Sequence, residues 1–293
     1  MVSIGIAILF TANHNADVVT TVGHLGQQGV PRSHIMLFHG SPKPPSLELP
    51  DPVNVPNAWT AATLSRTYAW VFREAAVQFD YTVVLEDDLW LSPHFMKYMR
   101  WGVRVLRLAP DVGVVSAWND NAVPEAKLSP SLAWRATQFM GLGWVASSRT
   151  LTEFAAAIDA TPSRPWDLTV ARHMFRRRTV SVFPQFPRVH HRTPSFWKFD
   201  TLQVFPNATC TMPGARWFSQ NYTAYIQSIC RIGRVHAASN LVQAIESSGL
   251  PIPWTTSALT SRAYGEHGGI TIFPDREGTQ HLFLPPSQQC MPL

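Results

Sequence analysis

Residues Tyr81 to Leu89 read Y-T-V-V-L-E-D-D-L, and the fold is decided by how this stretch is read. Thr82, Val83, Val84 and Leu85 are β-branched or aliphatic. The run is too short for a buried helix and fits a strand covered on both faces. Glu86, Asp87 and Asp88 follow at its carboxyl end, which in an open α/β sheet opens onto the ligand crevice. Three adjacent acids repel one another, and two readings of the triplet stand at this point. One is a solvated acidic turn. The other is a set of oxygen ligands for Mg²⁺ or Mn²⁺, hard ions that share their ligands with substrate phosphates. The apolar strand in front of the triplet favours the metal.

Outward from that strand the pattern repeats. Ile4 to Phe10 is an apolar strand ending in the polar turn Asn13-His14-Asn15. Ala16 to Leu25 reads as a helix stopped by Gly26, and His34 to Phe38 as a second strand running into His39-Gly40-Ser41. Strand, helix, strand opens a parallel sheet whose strand ends feed one crevice. Pro42 to Pro56 lacks periodicity and reads as a surface loop. Ala58 to Phe79 has helical spacing at Trp59, Leu64, Tyr68, Val71, Phe72 and Ala75, and leads into the acidic strand.

Beyond it, Pro93 to Leu108 reads as a helix with Ser92 as N-cap and proline in its first turn. Val112 to Ala117 is a strand delivering Trp118-Asn119-Asp120-Asn121. In Phe139-Met-Gly-Leu-Gly-Trp144, Gly141 and Gly143 permit a sharp turn or a close backbone approach to a ligand. Thr150 to Ile158 is a helix opened by Ser148 or Arg149, and Pro165-Trp166-Asp167 starts another through Phe175. The last third is less periodic: His190-His191-Arg192-Thr193 lies in a loop, Ser239 to Ser248 is a short amphipathic helix, and Ile270 to Phe273 is a strand. No internal repeat and no clear linker divide the chain.

Composition bounds the function. The chain has 293 residues, 45% hydrophobic and 15% charged, enough for a large buried core and unlike a disordered protein. A net charge of +5 mildly favours anionic ligands. Nucleic-acid binding is not supported, because no Lys/Arg-rich helix appears and the run Arg176-Arg177-Arg178 reads as a solvated basic turn. Cys210, Cys230 and Cys290 form no close pair and lack zinc spacing, which suits a reducing compartment. The sequons at Asn207 and Asn221 matter only in a secreted chain. The apolar start lacks the basic flank and cleavage site of a signal peptide, and nothing is long enough to span a bilayer.

Taken in order, L-E-D-D-L at 85–89, V-S-A-W-N-D-N at 115–121, F-M-G-L-G-W at 139–144 and P-W-D at 165–167 resemble the signature of the N-acetylglucosaminyltransferase I family, which includes the protein O-mannose β-1,2-N-acetylglucosaminyltransferases. Ser261 to Tyr264, Gly269 to Phe273 and His281 to Pro286 resemble that family's closing hairpin. The resemblance implies an α/β fold of the GT-A type, a Rossmann-like, mostly parallel sheet flanked by helices. A nucleotide-sugar-binding catalytic core would occupy residues 1–195, with a smaller C-terminal α+β portion, 196–293, packed on it to complete the site. It further implies a UDP-linked sugar donor held with Mn²⁺ or Mg²⁺, and inversion at the anomeric carbon with transfer to a glycan or glycoprotein hydroxyl in a β-linkage. Carried over by position, Asp88 is the metal ligand, Asp87 lies by the ribose and metal waters, and Glu86 reaches the donor sugar hydroxyls. Leu142 and Trp166 wall the sugar pocket, and Asp167 is the catalytic base. Arg192 or Arg188, in the loop resembling a family segment, would clamp a phosphate, the alternative being an exposed structural arginine. His190 and His191 would be further metal or phosphate contacts, the commoner alternative being surface or packed histidines.

Three positions depart from the family. His14 stands where it has an arginine, Ser41 replaces an aspartate, and Thr67 replaces a histidine; these positions hold the nucleotide, the latter two at the uracil. The sugar and metal side is therefore better kept than the base side. N-acetylglucosamine is the family's donor sugar, and xylose or another UDP-sugar is the alternative. A rival of another class is an inactive nucleotide- or sugar-binding module that kept the fold. The chain reads as a soluble cytosolic enzyme or as a trimmed catalytic domain of the Golgi lumen.

Overall fold

The computed structural model describes residues 2–10, 15–39, 53–54, 61–119, 133–136, 139–184, 187–191, 234–237, 271–274 and 280–284. The expected helix at Ser239 to Ser248 and the residues His14, Ser41 and Arg192 lie outside them. Strands β1 (Ile4–Phe10), β2 (Ile35–His39), β3 (Val53–Asn54) and β4 (Tyr81–Glu86) pair in parallel, with β2 and β4 flanking β1. Helix α1 (Asn15–Gln27) links β1 to β2, and α2 (Ala61–Gln78) leads into β4. After β4 come β5 (Leu89–Leu91), α3 (Phe95–Leu108), β6 (Val112–Ser116), β7 (Ala133–Ala136) and β8 (Trp144–Ser147). Helices α4 (Ser148–Asp159) and α5 (Trp166–Arg177) precede β9 (Val180–Pro184) and β10 (Val189–His191). The main sheet has eight strands in the order β3-β2-β1-β4-β8-β6-β9-β7. It is mixed: β8 runs antiparallel to both β4 and β6, and β7 antiparallel to β9. The α/β, mostly parallel sheet expected from the sequence is borne out.

Side-chain alternation along the strands makes two cores. Ile6 and Ile8 of β1 and Val83 and Leu85 of β4 face one side, against Val18, Val22 and Leu25 of α1 and Met99 and Val103 of α3. Ala7, Leu9 and Val84 face the other, against Tyr68 and Phe72 of α2, Leu151 and Phe154 of α4, and Val170 and Met174 of α5. Strands β1, β2, β4, β6 and β9 all point the same way, so their carboxyl ends share one edge of the sheet. The chain winds outward from β1 to β2 and β3, then returns to add β4 on the other side of β1. That reversal between β1 and β4 is the switch point at which doubly wound sheets open a ligand crevice. Glu86, paired with Leu9, ends β4 there.

Several local expectations need correction. Helix α1 runs through Gly26 and ends at Gln27, with Gly29 at φ +78° supplying the left-handed turn. The short strand β3 interrupts the loop expected over 42–56. Helix α3 begins at Phe95, and the Ser92 hydroxyl does not cap it. Instead the Gln28 side chain, 68 residues away, accepts from the Met96 N–H at 2.8 Å and donates to the Ser92 carbonyl. Helix α4 is capped by Ser147, whose hydroxyl accepts from the Thr150 N–H at 3.2 Å. A local sequence window cannot show a cap lent by another element.

In the last third, β11 (Arg234–Ala237), β12 (Thr271–Pro274) and β13 (Gln280–Leu284) form a three-stranded sheet. The β12–β13 pair is antiparallel, as a closing hairpin requires.

Phe72 is fully buried and its ring meets Tyr68, Trp144, Phe154 and Trp166. Phe72→Ala is expected to lower stability by about 3–5 kcal/mol, as large-to-small core changes do. Urea denaturation checks this, and a loss under 1 kcal/mol would mean that the cluster closes over the gap.

Candidate active site

The acidic triplet straddles the end of β4 and the tight turn into β5. Glu86 is the last residue of the strand, and Asp87 and Asp88 form the turn, all three half-buried. Strand β5 pairs antiparallel with β10, in the register His191↔Leu89, His190↔Trp90 and Val189↔Leu91. This two-stranded sheet brings a segment from a hundred residues onward against the turn. His191 Nε2 lies 3.0 Å from Asp88 Oδ2. One ligand atom each from Glu86, Asp88 and His191 falls within 4.8 Å of the others. Two carboxylates and an imidazole at that spacing match the donor chemistry of a first-row divalent cation, so the residues present fit a metal.

From the other face of the sheet, the Tyr68 hydroxyl of α2 donates to Glu86 Oε1. Its ring stacks on Trp166 with centroids 3.8 Å apart and planes 16° from parallel. Trp166 opens α5 behind Pro165 and also meets Phe72 and Phe139 edge-on. Trp166 thereby locks the start of α5 to α2. The next residue, Asp167, sits in the first turn of α5, where the helix dipole favours negative charge. Tyr68 feels the charges of Glu86, Asp88 and Asp167 together, so the helix acid and the strand-end acids share one neighbourhood.

Burial sets the proton affinities here. It raises Glu86 to about 7; the Tyr68 hydrogen bond and His191 pull downward, while Asp88 and Asp87 add to the rise. Burial also raises Asp167, against the opposing N–H groups of Leu168 and of Asp167 itself. The Tyr68 phenol is pushed well above its ordinary value, by burial first and then by Glu86. It therefore remains a hydrogen-bond donor. A carboxylate with raised proton affinity is a stronger base, the property wanted in a group that removes a hydroxyl proton near neutral pH.

The Gly-Leu-Gly turn reaches the same edge, since Trp144 pairs with both Val84 and Ser116. Gly143 has φ +61°, and a Cβ there would meet Val189 Cγ1 at 2.8 Å. Glycine is needed at this position for both reasons. The carbonyls of Gly143 and Leu142 accept from the Ala117 N–H, at 2.7 Å, and the Ser116 hydroxyl, at 3.3 Å. Leu142 itself is half-buried, packed against the core on the α3 side. Arg188 N–H donates to the Ala117 carbonyl and the Ser92 N–H to the Arg188 carbonyl, tying the segment before β10 into the sheet edge. Arg188 is buried, with its guanidinium 6.0 Å from the Tyr98 ring centre. Asn119 is buried and donates to the Pro184 carbonyl. Thr67 is buried on α2 beside Tyr68. Arg176, Arg177 and Arg178 are exposed at the end of α5, as a solvated turn would be.

The structure thus gathers Glu86, Asp87, Asp88 and His191 at the tip, with Asp167 nearby. Sequence reasoning did not single out Tyr68 as a site residue. Its helical spacing marked it as core, and the only further signal was a phenol one turn after Leu64 on the helix that feeds the acidic strand.

Residues 53–191, just under half of the chain, match the model of the GNT-I family. The stretch runs from β3 through β10 and includes the acidic tip, Asp167 and His191. Alpha-1,3-mannosyl-glycoprotein 2-beta-N-acetylglucosaminyltransferase of Arabidopsis thaliana is 26% identical over 106 residues, which cover 36% of this chain and 23% of that protein. The chain spans about a quarter of the length of that curated relative. The family resemblance carried by the motifs is borne out by these matches.

The folded protein holds the Glu86 proton more tightly than the unfolded chain, whose ordinary value is 4.5. Without divalent ions, stability is therefore expected to fall as pH rises from about 4.5 to about 7 and to level off above. Asp167 acts in the same direction. Urea unfolding across this range should show the slope in the wild type and much less of it in Glu86→Gln. An unchanged slope in the variant would assign it to other groups.

Proposed function

We propose that this chain is a metal-dependent inverting glycosyltransferase that moves a sugar from a UDP-linked donor to a glycan hydroxyl, forming a β-linkage. The carrying observation is the convergence of Glu86, Asp88 and His191 at the switch point of the sheet, with Asp167 on the neighbouring helix terminus. The GNT-I match over the same residues supports the reaction class. The Arabidopsis relative, by its name, transfers N-acetylglucosamine. N-acetylglucosamine is accordingly the first donor sugar to test, with UDP-xylose next because of the departures at His14, Ser41 and Thr67.

Each residue has a task that its chemistry suits. Asp88 would hold the cation, and Glu86, hydrogen-bonded by Tyr68, would accept from donor sugar hydroxyls. A bound Mn²⁺ or Mg²⁺ supplies positive charge that offsets charge building on the departing diphosphate. Asp167 removes the proton of the acceptor hydroxyl as that oxygen attacks the anomeric carbon from the face opposite the leaving group. The carbon–oxygen bond to the acceptor forms as the bond to the diphosphate breaks, and the configuration inverts. One general base suffices, because the diphosphate departs without a proton. Leu142, on its glycine-flanked turn, borders the crevice that takes the sugar.

Asp167→Asn keeps shape and hydrogen bonding but removes the base, so transfer should fall by about 10²–10⁴-fold while Mn²⁺-dependent donor binding persists. Asp88→Ala should abolish both. Product formation from UDP-N-acetylglucosamine or UDP-xylose, read by chromatography alongside a thermal-shift titration of each donor, checks this. Undiminished transfer by Asp167→Asn would move the base elsewhere. Donor binding without any transfer by the wild type would make the chain a binding module.

A further inference from the structure

We infer that His191 is a direct nitrogen ligand of the divalent cation and sets which metal the site selects. This deepens the proposed reading, in which the resemblance makes Asp88 the metal ligand and leaves His191 a contact to metal or phosphate without deciding between them. The β5–β10 pairing places His191 opposite Leu89, the residue that follows Asp88. Alternation along β10 then turns its two histidines to opposite faces. His190 lies against the Trp90 ring, with centroids 5.1 Å apart, and His191 faces the acidic tip.

The distance is informative. In an octahedral site with bonds of about 2.1 Å, neighbouring ligand atoms are about 3.0 Å apart, the bond length times the square root of two. His191 Nε2 and Asp88 Oδ2 are 3.0 Å apart, so a cation can bond both atoms with little movement of either side chain. Both side chains are mostly covered, 15% and 16% exposed, so the pair is held in place rather than free in solvent. A Glu86 oxygen completes a set in which no two atoms are more than 4.8 Å apart. An Nε2–H of His191 can donate to Asp88 Oδ2 across the same contact. To hold a cation, Nε2 would have to carry no proton, so that its lone pair would be free to act as the ligand.

An imidazole changes the selectivity of an otherwise all-oxygen site. Carboxylate and water suit Mg²⁺ and Mn²⁺ alike, whereas a nitrogen donor favours first-row transition ions over Mg²⁺. The site should therefore prefer Mn²⁺ and Co²⁺ to Mg²⁺, and the preference should lie in His191.

The test is electron spin-echo modulation of Mn²⁺ bound to the full chain, in the wild type and in His191→Gln and His190→Gln. A ¹⁴N modulation is expected in the wild type and in His190→Gln, and its loss in His191→Gln. Titration should show His191→Gln weakening Mn²⁺ at least as much as the roughly 10–100-fold that loss of an outer partner costs, with a smaller change for Mg²⁺. Bound Mn²⁺ without nitrogen modulation in the wild type would overturn the inference, and so would modulation that survives in His191→Gln. The wild-type spectrum decides this even where a variant folds poorly. Nitrogen-bound Mn²⁺ in a protein that transfers no sugar would overturn the proposed function and leave His191 a ligand. Mn²⁺-dependent transfer with no nitrogen signal would do the reverse.

Discussion

Three consecutive carboxylates at the tip of a buried strand are a charge problem, and the surrounding structure is arranged about it. Glu86 is pressed toward neutrality by burial, with its oxygen steadied by the Tyr68 hydroxyl. Asp88 meets His191 across the β5–β10 pair. His191 also lowers the proton affinity of Glu86, and neither Tyr68 nor His191 carries the double charge that a divalent ion brings. Opposite charge close by favours the ionised form of neighbouring carboxylates. Under the proposed function, the same concentration of negative potential would attract a metal and, through it, an anionic diphosphate.

The aromatic cluster turns that electrostatic arrangement into a positioned site. Tyr68 is at once a ring stacked on Trp166 and a hydroxyl on Glu86. The first turn of α5, which carries Asp167, is thereby registered against the end of β4 through one side chain. Phe72, Phe139, Trp144 and Phe154 close around the stack with edge-to-face contacts, a geometry that favours a single packing. On the opposite face, the links Gly143 to Ala117 and Arg188 to Ala117 hold the turn and the segment before β10 to the end of β6. Sheet, aromatic layer and loop ties all converge on the same edge.

Much of this was legible in the sequence, and the limits have physical causes. The strands β1, β4 and β6 are unbroken apolar runs, because each is covered on both faces. The strand ends therefore announced themselves, and with them Glu86, Asp87, Asp88 and the segment around Asn119. Gly143 was visible as a glycine, although its need for positive φ and for clearance from Val189 belongs to the folded state. The pairing of β5 with β10 was not legible. Leu89-Trp90-Leu91 is too short to give a period, and its partner lies a hundred residues away. The same non-local step separates His190 from His191, identical in a sequence and opposite in a strand. The roles of Tyr68 and Trp166 were hidden for a related reason, since a core aromatic and a site aromatic share one helical spacing.

The account rests on a cation held between Asp88 and His191 at the end of β4. Anomalous diffraction at the manganese edge, from crystals grown with Mn²⁺ and UDP, tests this most directly. The account predicts one strong peak within bonding distance of Asp88 Oδ2 and His191 Nε2, with the diphosphate on its open side. Manganese and UDP bound elsewhere, with the Asp88–His191 contact intact and no peak beside it, would contradict it.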